Sequence, residues 1–511
     1  REASNELLGG AVVDRSWIEL HRNPAVDAGR AHALRVAGTR AEREPIERLL
    51  HLLVRGLLAE YPQRQQLVRE ARASGRDLTA SDSMRLREAG RLSRQLLTEL
   101  QTAKVARAVM SNRQLEEVMV DFWENHFTVF AGKGPERYFL GEYERESIRP
   151  HALGKFRDLL GAVAKSPAML YYLDNWESTV DSGRPSLAAR GSARGRRRSA
   201  MLAPSARARP KGLNENYGRE LLELHTLGVD GGYTQQDVIN VARAFTGWTV
   251  EKPRQNGTFD FRPAMHDAGE KLVLGHVLPA GRGIEDGEEV LDIVSRSPST
   301  AKFISAKLVR RFVSDSAPPA LVDRVAATFT RTDGDIRECL RTIFTSQQFF
   351  SRAAYKAKVK SPFELVVSAL RAVGAQPDST PRTAAMVGKL GEPLYGHLAP
   401  NGYPERGDAW INTGAILQRI NFGLAVAAGR VPGASLDNWP DGRALASAPH
   451  DAQVDGVIRT ILAGEASPDT RKVLENGVNP MAGDSTFANA RPDGFANIVG
   501  LALGAPEFQR R

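Results

Sequence analysis

The segment Leu213-Asn-Glu-Asn-Tyr-Gly-Arg-Glu-Leu-Leu-Glu-Leu-His-Thr-Leu-Gly228 sets Glu215, Glu220 and Glu223 beside Arg219, Asn214, Asn216 and His225. Asn216, Glu220 and Glu223 are four and then three residues apart, so a helix places them on one face. Glu215 and Arg219, four apart, can pair. His225 lies three after Leu222 and four after Leu221, which leans it toward the apolar side. Singly, these residues read as a surface ion pair, two solvated acids and a core histidine. Together, clustered acids beside Asn and Arg form the kind of constellation that binds or turns over a ligand. Paired carboxylates are what glycosidic cleavage needs. On that chemistry Glu220 is the expected acid or base, with Glu215 and Glu223 as further carboxylates and Asn214, Asn216 and Arg219 positioning substrate.

Three other polar sets could contribute. In Asp121-Phe-Trp-Glu-Asn-His-Phe127, His126 falls on an apolar stripe with Phe122 and Phe130, and Trp123 and Asn125 flank it. Tyr171-Tyr-Leu-Asp-Asn-Trp176 offers Asn175 and Trp176, and His266-Asp267 precedes Lys271. Trp123, Trp176, Trp248 and Trp410 all stand beside such segments and could stack on sugar rings. His126, His225, His266, Glu220 and Asp267 are metal-capable types. However, no HExxH or Glu-x-x-His spacing occurs, and the Asp230-Gly-Gly turn lacks the calcium-loop pattern. No metal set is assigned and no cofactor is identified.

The elements that must carry these groups are helices. Ile46, Leu49, Leu50, Leu53 and Leu57, then Leu92, Leu96 and Leu100, repeat at three and four. Asn214 is the expected N-cap of the central helix, and Gly228 its left-handed end. Thr234 and Asp237 form a capping box for a second helix reaching Gly247, so the pair reads as an antiparallel αα-hairpin. Thr258–Arg262 and Lys271–Leu274 suggest a short β-hairpin. The fold class is mainly α, a multi-helix bundle. The expected divisions are an extension over 1–40, an N-terminal lobe over 41–181, an insertion over 182–212, the hairpin with its β region over 213–300, and a C-terminal lobe over 301–511.

The net charge of +9 invites a nucleic-acid reading, but its location argues against one. Nine arginines and lysines lie between Ser182 and Gly212 with no acid among them, and elsewhere the charges balance. That stretch has few large apolar side chains to offset its ordering entropy, so it is expected to be a mobile loop. Nucleic acid is not an expected partner. No apolar run approaches the roughly 20 residues of a membrane span. The lone Cys339 sits among apolar helical neighbours and reads as a buried structural thiol.

The central segment, continued by Gly232-Tyr-Thr-Gln235 and Ala242-Arg-Ala-Phe-Thr-Gly-Trp248, resembles the signature of the bacterial Domain of Unknown Function 1800 family. Phe122–Phe127, Leu173-Asp-Asn175, His266-Asp267 with Lys271, Lys360-Ser-Pro-Phe-Glu364, Gly402-Tyr-Pro404 with Trp410, and Pro506-Glu-Phe-Gln509 support the resemblance over roughly 40–511. The Arg-rich insertion is longer than the family pattern, and the N-terminal segment is trimmed or diverged. The resemblance implies an exported protein, periplasmic or extracellular, often encoded beside a sulfatase-like companion. It brings motif positions but no catalytic residues. Three functions follow as expectations: a hydrolase of polysaccharide or envelope glycan, a helical scaffold assisting a companion protein, and a metal-dependent enzyme using His and Glu.

Overall fold

The computed structural model describes residues 64–75, 79–190, 212–254, 257–377, 380–477 and 494–511. The 1–40 extension, the Ile46–Leu57 periodicity and most of the Arg-rich insertion, 191–211, lie outside the described residues. The first half of the chain contains α1 (Arg64–Ala73), α2 (Ala80–Met110), α3 (Gln114–His126), α4 (Glu136–Glu142), α5 (Phe156–Lys165), α6 (Pro167–Tyr172) and α7 (Leu187–Arg190). The central segment forms α8 (Asn216–Glu220), a π-helical turn Leu221–Thr226, and α9 (Gln235–Ala244). Four short strands follow: β1 (Trp248–Glu251), β2 (Thr258–Phe261), β3 (Lys271–Val273) and β4 (His276–Leu278). The remainder is α10 (Glu285–Ser295), α11 (Pro298–Phe312), α12 (Pro319–Arg331), α13 (Ile336–Phe344), α14 (Pro362–Ala372), α15 (Arg382–Lys389), α16 (Thr413–Ala427), α17 (Pro440–Ala446), α18 (His450–Ile461), α19 (Pro468–Asn476) and α20 (Gly494–Gly504).

Local sequence explains many of the helix starts. Thr79 with Asp82, Thr234 with Asp237, and Ser361 with Glu364 close reciprocal capping boxes. Proline opens α11, α12, α14, α17 and α19, where its missing N–H costs nothing. The mainly α expectation holds. The single β-hairpin becomes two: β1 pairs antiparallel with β2, and β3 with β4. Each expected strand found a partner next to it in sequence instead of the other expected strand.

Two hydrophobic cores organise the molecule. The first runs from Leu96 through Phe122, Trp123, Leu221, Trp248 and Leu308 to Ile343. The second gathers α14–α16, α18 and α20. The cores therefore divide after α13, not near residue 300, because Ile304, Leu308, Leu321 and Ile336 bury against the first core. Helix α2 serves both, with Leu96 and Leu100 in the first core and Val105, Ala108 and Val109 in the second. Tyr395 also packs against both.

In the central hairpin, α8 packs against α9 and its C-cap through three consecutive residues. Tyr217 meets the Phe245 ring at 4.9 Å, Arg219 reaches Gln235 at 3.0 Å, and Gly218 lies against Val238 and Ala242. These contacts bring the two helices into close approach. Gly218 permits it: a Cβ there would stand 2.9 Å from Ala242 N and Val238 O.

Candidate functional site: a charged cleft between the two cores

Where the cores meet, a narrow charged cleft with a cavity of about 60 Å³ opens. One wall is α3, whose Asp121 and Glu124 are three apart and face the same way. Lys104 of α2 binds both, at 2.9 Å to Asp121 and 2.6 Å to Glu124. Lys104 also stands over the Phe363 and Tyr395 rings. Opposite them, Arg311 of α11 contacts Glu405 and Glu364 at 3.2 Å and Asp121 at 3.3 Å. Arg511 reaches Glu364 at 2.9 Å, and Lys358 reaches Asp315 at 2.5 Å. Glu392 accepts a hydrogen bond from Phe363 N at 2.8 Å.

These environments pull carboxyls of one type far apart. Burial pushes Glu392 up to about 8, with the Asp121 charge adding to the effect. Burial likewise pushes Glu124 up to about 7, despite Lys104. Burial also opposes charge on Glu364, yet Arg511 and Arg311 hold it at about 2. Lys104 stays charged: burial works against it, but Glu124 and Asp121 keep its pKa well above the ordinary lysine value. Near neutral pH the cleft therefore contains a protonated Glu392, a titrating Glu124 and an ionised Glu364.

Several segments of the family resemblance converge here. Asn125 clamps the Tyr403 backbone, donating to its carbonyl at 2.8 Å and accepting from its N–H at 2.6 Å. Gly402, at φ +71°, is required at that clamp because a Cβ would meet Asn125 O at 2.1 Å. Trp410 donates its indole N–H to Pro404 O at 3.0 Å. Lys360 N donates to Gln509 O at 2.9 Å, tying the last segment to the one that carries Glu364.

The central segment is placed differently. Asn214 Oδ1 accepts from Asn216 N at 2.9 Å, the bond of an N-cap, although the helix itself begins at Asn216. Glu215 pairs with Arg219 at 3.3 Å and accepts from Gln235 at 2.7 Å on a partly exposed face. Glu220 and Glu223 are half-buried, and Tyr233 donates to Glu223 at 3.3 Å. Burial, and then the Glu223 charge, raise Glu220 above the usual carboxylate range. None of these acids lines the cleft. The link is indirect: Glu220 acts electrostatically on Tyr172, whose hydroxyl donates to Leu398 O beside His397 of the cleft wall.

His126 and His225 come together, enclosed and apart from Glu220. The π turn leaves the His225 carbonyl free, and His126 Nε2–H donates to it at 3.0 Å. Burial, Lys307 and the His225 ring hold His126 well below the ordinary imidazole value, and burial and Lys307 hold His225 at about 3. Both are neutral. His126 Nδ1 and His225 Nε2 are enclosed without a partner.

Two tryptophans expected to stack on substrate are core residues. Trp123 is fully buried and donates to Ala152 O at 2.9 Å, and Trp248 is fully buried against Gly287. Trp176 stacks on Tyr171 at 5.2 Å. Asn175 is buried and donates to Phe245 O and Trp248 O, anchoring the start of β1. His266, Asp267, Lys271 and Asp286 form a sealed network in which Lys271 meets Asp286 at 2.6 Å and Arg243 meets Asp267 at 2.8 Å. Among the described residues no three His, Cys, Asp or Glu side chains are arranged to hold a metal ion, and no helix is long and apolar enough to cross a membrane.

Sequence reasoning passed over Asp121, Glu124 and Glu364, although each lay in a segment singled out. Two acids three apart, Asp121 and Glu124, beside the apolar stripe of α3 were the available signal. Lys104, Arg311 and Glu392 each come singly from distant positions and carry no local signal. No match to the chain was found among curated proteins or among solved structures. The pattern of the family described as "Protein of unknown function (DUF1800)" matches residues 32–510, and the chain belongs to that family.

Proposed function

We propose that the cleft between the two cores is the working site of a hydrolase acting on a polysaccharide or cell-envelope glycan. Glu392 serves as proton donor, and the α3 carboxylates Glu124 and Asp121 as base and charge stabiliser. The observation that carries this reading is that one cleft holds buried carboxyls in opposite surroundings: Glu392 accepts from the Phe363 amide, whereas Glu364 is bound by Arg311 and Arg511, so burial raises the pKa of the first and the guanidiniums lower that of the second. Pairs of acids pushed apart in this way divide acid from base roles. The His397 and Tyr403 rings, 4.6 Å apart and inclined at 54°, offer a face for a sugar ring. A glycan substrate would place the work in the periplasm or outside the cell. The metal-dependent alternative has no donor set among the described residues to build on.

The test is release of reducing ends from purified peptidoglycan and a panel of neutral and acidic polysaccharides. Glu124→Gln and Glu392→Gln should each lower turnover by about 100-fold or more with folding intact, the usual scale for a lost general acid or base. Glu220→Gln should leave turnover unchanged. Loss with Glu220→Gln alone would move the chemistry to the signature helix.

A second reading, a non-catalytic scaffold for a companion protein, is favoured by one observation: the cleft charges Asp121, Arg311, Glu364, Glu405 and Arg511 are all bound to one another. Under it, no glycan is turned over and the same substitutions act only on stability.

A further inference from the structure

Among the described residues three tyrosines line the cleft, and two of them commit their hydroxyls to the fold. Tyr143 donates to Phe127 O and Tyr403 to Pro393 O, each at 2.8 Å. The third, Tyr395, forms no hydrogen bond through its hydroxyl among the described residues, and that oxygen is not one of the enclosed atoms lacking a partner. It opens on the cavity that the residue lines. The backbone at Tyr395 is left-handed, at φ +58°, a conformation that is costly for a bulky aromatic residue. Gly396, next in the chain, would take it without strain but does not carry it. Three hydrogen bonds hold the turn: Gln101 Nε2 donates to Leu394 O at 2.8 Å, Ala131 N to Tyr395 O at 3.0 Å, and Gly396 N to Pro393 O at 2.9 Å. The strain therefore belongs to the placement of the side chain. It sets the ring 5.4 Å from the Lys104 ammonium, with the Phe363 ring 5.3 Å from the same nitrogen. Lys104 binds Glu124 at 2.6 Å, so phenol ring, ammonium and carboxylate meet at one wall of the cleft.

We propose that Tyr395 is the positioning residue for the attacking water, its hydroxyl donating to that water while the Glu124 carboxylate takes its proton. The inference rests on the hydrolase reading and names the group that aims its nucleophile. In the reaction the water oxygen bonds to the anomeric carbon as its proton passes to Glu124. The bond from that carbon to the leaving oxygen breaks, and Glu392 gives that oxygen its proton. Exchange with solvent then restores both carboxyls. The phenol keeps its own proton throughout. Burial, and then the Glu124 and Glu144 charges, push it well above the ordinary tyrosine value, against Lys104 and Arg107. The cavity of about 60 Å³ has room for a few waters, at roughly 10–15 Å³ each.

The test compares full-length wild type, Tyr395→Phe and Glu124→Gln on whichever polysaccharide of the panel the wild type cleaves. Tyr395→Phe keeps the ring beside Lys104 and removes only the hydroxyl. It should lower kcat by about 100-fold, the scale of a misaligned nucleophile, with KM within about twofold. Its melting temperature should match the parent, because the hydroxyl bonds no described residue. The ascending limb of its pH–rate profile should stay in place, whereas an effect passed through Lys104 to Glu124 would move it. Turnover by Tyr395→Phe equal to wild type, or a loss that comes with a lower melting temperature or a shifted limb, would overturn the inference. The hydrolase reading would survive that result if Glu124→Gln is still impaired. Absence of turnover by the wild type across the whole panel would overturn both.

Discussion

A carboxyl group that keeps its proton at neutral pH can donate a hydrogen bond, and Glu392 is such a group in the cleft. Its folded pKa of about 8 lies above the unfolded value of 4.5. The folded state therefore holds a proton that the unfolded state has lost. Its contribution to stability is fully present below pH 4.5 and is lost as pH rises through about 8, a change of up to about 5 kcal/mol. Glu124 acts in the same direction over pH 4.5 to about 7. Glu392→Gln, which keeps the shape of the protonated form, should flatten the fall in melting temperature between pH 5 and 8.5. Parallel wild-type and variant profiles would mean that Glu392 is ionised throughout. Glu364 and His225 have the opposite sign. Their contributions are present above their unfolded values and are lost as pH falls, toward about 2 and about 3 respectively.

The central segment works at the level of the helix. Its concentrated chemistry is spent largely on geometry: Gly218 brings α9 against α8, the π turn presents the His225 carbonyl to His126, and Gly228 makes room for Phe303. Two substitutions separate these effects. Thr234→Ala opens the capping box of α9 and should cost about 1 kcal/mol in chemical denaturation. Gly218→Ala drives a methyl into the α9 backbone, which cannot yield as a flexible side chain would. It should cost about 1–3 kcal/mol. A Gly218→Ala protein as stable as the parent would show that the two helices are free to separate.

Across the whole molecule, the cleft charges join the two cores. Arg311, from the first core, binds Glu364 at the start of α14 in the second, and Asn125 of α3 holds the 402–404 backbone. Removing one member of such a set strands the others. Arg311→Met should cost about 3–5 kcal/mol, because Asp121, Glu364 and Glu405 lose their shared cation. If the cleft is where the cores are joined, the loss should appear as two separable unfolding steps in calorimetry. A single unshifted transition would show that apolar contacts through α2 suffice.

The helical class, the capping box at Thr234, the buried thiol of Cys339 and the inward face of His126 were all legible in the chain. Each depends on residues three or four positions apart, and helix geometry turns such spacings into faces. The resemblance carried further, naming segments that the fold does bring to one place. Which residues make the site was not legible. Glu220 and Glu124 are both helix-borne glutamates in motif segments. Only tertiary packing decides that one is half-solvated beside Glu223 while the other is buried against Lys104, 20 positions earlier. The same holds for Trp123 and Trp248, whose rings are equally suited to a sugar or a core until the neighbours are known. Burial and partner charge set the pKa values here, and both come from contacts between distant segments such as Phe363 with Glu392 and Arg311 with Asp121. No local pattern encodes those contacts.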